Sequence, residues 1–78
     1  MEYTAVFFTH SGAIKYDKYL KSISVCSELM PIPRKLSSNC GVGIKFNYIR
    51  NINEIISEDI EKLFSLENKE YKLIYTCE

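Results

Sequence analysis

The chain has 78 residues, a formal net charge of zero, 46% apolar residues, six tyrosines and four phenylalanines. That length holds one core, so a single domain over residues 1–78 is expected, and no apolar run is long enough to cross a bilayer. The first ten residues, MEYTAVFFTH, carry Glu2 where an export signal would carry lysines, so a cytoplasmic protein with no membrane partner is expected.

Taken in chain order, residues 3–9 (YTAVFFT) are rich in aromatic and β-branched side chains and predict a strand that is apolar on both faces, hence central in its sheet. From Ser11 the pattern turns helical. Ala13, Tyr16, Leu20 and Ile23 recur at helical spacing, Lys15, Lys18 and Lys21 lie opposite, and Thr9 or Ser11 serves as N-cap. Residues 24–32 (SVCSELMPI) predict a second strand that ends at Pro31 and Pro33, which suits a sheet edge. Residues 42–49 (VGIKFNYI) alternate cleanly and predict a third strand with one wet face. Residues 51–67 (NINEIISEDIEKLFSLE) predict a second helix, with Ile56, Ile60, Leu63 and Phe64 as its buried stripe and Asn53 or Ser57 as cap. Residues 70–77 (EYKLIYTC) predict a fourth strand.

The order βαββαβ is that of an α+β, ferredoxin-like domain: a four-stranded antiparallel sheet with two helices on one face. On that arrangement the turn after the first strand and the loop after the second emerge at the same end of the sheet. The end of the last strand, with Cys77, and the start of the second, with Cys26, lie away from it.

Charge and cysteines narrow the function. Residues 29–53 hold Arg34, Lys35, Lys45 and Arg50 and no acid, whereas residues 54–78 hold seven acids against Lys62, Lys69 and Lys72. Four cations are too few for a nucleic-acid surface, so no nucleic-acid partner is expected, but they suffice for a small anion. The three cysteines, Cys26, Cys40 and Cys77, are odd in number and widely spaced, and with a single histidine, His10, they write neither a disulfide framework nor a zinc site. No flavin, nucleotide or metal motif is visible, and no cofactor is expected.

The segment PRKLSSNCG, residues 33–41, gathers the unusual chemistry. A thiol is nucleophilic only as thiolate, and cations, backbone N–H groups or a helix N-terminus lower its pKa. Arg34 and Lys35 offer charge, Ser37 and Ser38 offer hydroxyls, Gly41 lets the backbone fold round Cys40, and His10 at the neighbouring turn offers a proton carrier. Such a set suits a thiolate that accepts and holds sulfur or selenium, and equally a bound oxyanion. The same residue types also fill ordinary turns, and a lone cysteine often only packs.

The run MPIPRKLSSNCG resembles that of the small bacterial selenium/sulfur carrier-like proteins, which show a proline-arginine, a serine pair and a cysteine-glycine in one segment. The likeness extends to the aromatic first strand, the first helix and the Gly-Ile-Lys-Phe strand, and departs at Asp17, where the family favours glutamate. By position the resemblance implies Cys40 as the chalcogen carrier and Arg34 as its nearest cationic support, with sulfur or selenium donor and acceptor proteins as partners. A monomer or weak homodimer that shuttles the atom, rather than a turnover enzyme, is the leading expectation. Two other readings stand beside it: a noncatalytic anion-binding or protein-interaction module built on the Pro33–Gly41 loop, and a thiol enzyme using His10 as base.

Overall fold

The computed structural model describes residues 1–32 and 41–77. Strand β1 (Glu2–Phe7) leads to helix α1 (His10–Ser22), followed by β2 (Ser27–Pro31), β3 (Val42–Asn47), a 3-10 turn (Ile52–Ile55), β4 (Ile60–Glu67) and β5 (Glu70–Thr76). The strands form one sheet in the order β2-β3-β1-β4-β5, every neighbouring pair antiparallel.

Local chemistry explains the first half. Thr9 caps α1, its hydroxyl accepting from the Gly12 N–H at 3.0 Å. The helix stops in a Schellman arrangement: the N–H of Val25 donates to the Leu20 carbonyl at 2.9 Å and that of Ser24 to the Lys21 carbonyl at 3.1 Å. Ser24, at φ 63°, takes the left-handed position usually given to glycine. This turn uses up residues 23–25, so β2 begins at Ser27 rather than at residue 24. β1 sits at the centre of the sheet, with Tyr3, Ala5 and Phe7 buried under α1 and Thr4 and Val6 buried on the opposite face.

The second half overturns the four-stranded ferredoxin-like expectation with its two helices. The sheet has five strands and the described residues hold one α-helix; residues 60–67, expected within a second helix, are β4. Ile60, Leu63 and Phe64 are spaced like a helical stripe, yet Leu63 and Phe64 are consecutive residues of a strand buried on both faces, where apolar side chains need not alternate with polar ones. β4 occupies the free edge of β1, pairing Tyr3 with Ser65 and Ala5 with Leu63. A two-residue hairpin then turns it into β5, with Asn68 at φ 50° and Lys69 at φ 66°, both left-handed as a type I′ turn requires.

The helix face carries the main core, in which Phe46 stacks beside Tyr3 at 5.6 Å between ring centroids and Tyr16 beside Phe7 at 5.4 Å. α1 covers β1, β2 and β3. The β4–β5 side of the same face is covered by the 3-10 turn, whose Ile55 carbonyl accepts a 2.6 Å hydrogen bond from the buried Tyr16 hydroxyl. Burial, with the nearby phenols of Tyr19 and Tyr48, pushes the Tyr16 pKa well above the usual phenol range, so it remains a donor. On the opposite face a small cluster forms around Val6 and Phe64, with Ile32 and Tyr71 against it.

Candidate functional site

Of the residues expected at the site, Arg34, Lys35, Ser37, Ser38 and Cys40 lie outside the described residues. His10 and Gly41 are described, and so are the anchors of the connection between them. β2 and β3 form a hairpin, with Pro31 opposite Val42. Just beyond that pair the Ile32 N–H donates to the Gly41 carbonyl at 3.0 Å, so the segment from residue 33 to residue 40 starts and ends at a closed backbone bridge.

Two glycines serve this end of the hairpin for different reasons. Gly41, next in sequence to Cys40, has φ +70°, and a Cβ there would meet nothing within 4 Å; its requirement is conformational. Gly43 is buried beneath the Ile32 side chain, and a Cβ there would stand 2.6 Å from the Ala5 carbonyl oxygen of β1, so its requirement is steric. The Ile32 side chain lies over Gly43 and against Val6, on the face opposite α1.

The register also fixes which groups share that end of the sheet. β1 and β2 run in the same direction with β3 between them, so the carboxyl ends of β1 and β2 and the start of β3 are together, as expected for the THSG turn and the loop. His10 is the first residue of α1 and is exposed there. Cys26 precedes β2 at the other end, beside Asn47, and is exposed. Cys77 is a correction. The strand expected to be the fourth is the fifth, one position further out and parallel to β1, which brings Cys77 to the same end as Gly41, its N–H donating to the Glu61 carbonyl at 2.8 Å. It lies on the edge strand opposite β2, so β1 and β4 still separate it from β3.

One residue at this end escaped the sequence reading. Asp59, expected inside a helix, packs its side chain against Gly12 in the first turn of α1 and pairs with Lys15 at 3.6 Å, while its carbonyl accepts from the Phe8 N–H at 3.4 Å. The positive end of the helix dipole therefore already faces a carboxylate of the chain's own. An acid shortly before an apolar strand is common, and nothing local in SEDIEK marks it as a helix companion.

Asp17 is structural. It is buried, accepts from Ser27 and from Lys21, each at 2.6 Å, and so pins α1 to the edge strand β2. Burial works to raise its pKa, but the hydrogen bonds from Lys21 and Ser27 and the Lys21 charge outweigh it and hold the carboxyl below its ordinary value.

The family described as "Putative Se/S carrier protein-like" matches residues 2–76, which takes in the whole sheet, α1 and the β2–β3 connection. The chain belongs to that family. A search of curated proteins and one of solved structures each found no match. No helix among the described residues is long and apolar enough to cross a membrane.

Proposed function

We propose that this Se/S carrier-family protein holds a chalcogen on Cys40, as a persulfide or selenosulfide, and hands it to a partner protein. The observation that carries the reading is the family match over residues 2–76, in a chain whose single Cys-Gly pair falls where the β2–β3 connection rejoins the sheet. In the transfer, the Cys40 thiolate attacks the terminal sulfur of a donor's persulfide. The donor's S–S bond breaks, its thiolate departs, and a new S–S bond forms on Cys40; the moving sulfur keeps its oxidation level, so no outside oxidant or reductant is consumed. Passing the atom on repeats the exchange with an acceptor thiolate.

Thiolate stabilisation in this proposal falls mainly to Arg34 and Lys35, with Ser37 and Ser38 as hydroxyl donors, because Asp59 already meets the dipole of α1. Gly41 contributes its left-handed backbone, and exposed His10, at the same end of the sheet, serves as proton carrier.

The test is intact-mass analysis after incubation with a cysteine desulfurase and cysteine. A gain of about 32 Da in the wild type that disappears in Cys40→Ser is the expected result, since each transferred sulfane sulfur adds one sulfur atom. Equal labelling of Cys26 or Cys77 in the Cys40→Ser protein would sink the carrier reading. Oxyanion binding that survives Cys40→Ser and is lost in Arg34→Ala would replace it with the binding module.

A further inference from the structure

An opening formed by described residues is at the other end of the sheet, where the 3-10 turn only partly covers β4 and β5. It is a cleft of about 370 Å³, at the small end of the range for ligand pockets. Its floor is a cross-strand row, Tyr3 of β1, Ser65 of β4 and Lys72 of β5, which are direct partners in the sheet. Its wall is apolar, from Ile52 and Ile56 of the turn and Tyr75 of β5.

Three features of this cleft call for a ligand of definite chemistry. Ser65 is at the floor of the cleft, and its hydroxyl, which has no hydrogen-bond partner among the described residues, is open to it. A hydroxyl open to the cleft can exchange hydrogen bonds with a polar group bound there. Lys72 and Glu67 both line the cleft, and as diagonal neighbours across the hairpin, with Cα atoms about 7–8 Å apart in an ordinary sheet, they are close enough to pair. Neither forms an ion pair among the described residues. Glu70, the cross-strand partner of Glu67, adds negative charge on that side. Met1 also lines the cleft, with its ammonium donating to the Tyr48 carbonyl at 3.3 Å.

We propose that this cleft binds a free α-amino acid with an apolar side chain, its carboxylate on Lys72 and Ser65, its ammonium on Glu67, and its side chain against Ile52, Ile56 and Tyr75. A zwitterion satisfies the two opposite charges at once, whereas a simple carboxylate would face Glu67 and Glu70 and a simple cation would face Lys72. The site is at the opposite end of the sheet from Gly41, so it is independent of sulfur loading on Cys40.

The probes are leucine and methionine, titrated into the ¹⁵N-labelled full chain and followed by the amide resonances of Tyr3, Ser65 and Lys72. Both amino acids are expected to shift these resonances saturably. N-acetylleucine, which lacks the ammonium, and leucinamide, which lacks the carboxylate, are expected to bind at least about threefold more weakly, as loss of one exposed charge contact implies. Lys72→Met and Ser65→Val are each expected to weaken leucine by about three- to tenfold, the range for one lost hydrogen bond. Absence of shifts with the wild type would overturn the proposal. So would equal binding of either derivative, or unchanged affinity in Lys72→Met, an exposed substitution that does not disturb the core.

Discussion

The two sides of the helix-bearing face are built to different standards. Under α1, the face is closed by a thirteen-residue amphipathic helix whose Ala13, Tyr16 and Leu20 are buried against Ile44 and Phe46. Beyond β1, the same face is closed by a four-residue 3-10 turn, and the cleft lined by Ser65 remains open. A helix presents a stripe of side chains along several strands, whereas a single turn presents only two or three residues. The difference separates a closely packed half, which carries β2 and β3, from a half with space left over.

The sharpest way to break this contrast is to cut one aromatic from the closed half and one aliphatic from the open half. Phe46→Ala is expected to cost about 3–5 kcal/mol, the usual range for emptying a packed aromatic site, because Phe46 is 2% exposed and touches both Tyr3 and Tyr16. Ile52→Ala is expected to cost about 1–2 kcal/mol, less than a fully buried deletion, since Ile52 is only partly buried against that core. Urea denaturation of both variants measures the gap; equal losses would mean that the two halves are equally packed.

Asp17 sharpens the comparison on the closed side. Asp17→Ala strands the Ser27 hydroxyl and is expected to cost about 1–3 kcal/mol. Because the folded carboxyl titrates below its ordinary value of 3.8, the contribution is fully present above that pH and is lost as the pH falls through the lower folded value. Stability measured by denaturant from neutral pH to pH values below the carboxylate range should therefore decline less steeply in Asp17→Ala than in the wild type. Parallel curves would remove Asp17 from the account.

The smallest effect belongs to the open half. Lys69, at φ 66° in the β4–β5 turn, has a side chain where glycine costs nothing. Lys69→Gly is expected to raise stability by about 0.5–1 kcal/mol, the penalty that a left-handed conformation imposes on an ordinary residue, reduced by glycine's greater unfolded freedom. A lowered melting temperature would count against the type I′ assignment.

The same turn explains why one strand was illegible. An Asn-Gly pair between apolar runs would have announced a hairpin, but here the second position is Lys69, and FSLENKEY reads as the polar tail of a helix. Ser24, standing where glycine usually follows a helix, likewise hid the turn through residues 23–25, so the start of β2 was read three residues early. By contrast Thr9, the stripe through Ala13, Tyr16 and Leu20, and the alternation of Val42, Ile44 and Phe46 were legible because each signal is local and strong. Of the candidate site, the sequence picked out His10 and Gly41 at the end of the sheet that they share; it missed Asp59, which reaches α1 from another element, and Arg34, Lys35, Ser37, Ser38 and Cys40 fall outside the described residues.

By itself, then, the sequence determined the central apolar strand, the capped helix, the hairpin partners β2 and β3, and the family. Only the tertiary structure decided that residues 60–67 pair with β1, that Cys77 comes to the same end of the sheet as Gly41, and that Ser65 lines an open cleft. The physical reason is that apolar residues spaced like Ile60, Leu63, Phe64 and Leu66 satisfy a helix and a doubly buried strand almost equally well, and the free edge of β1, with its unpaired backbone groups, settles the choice.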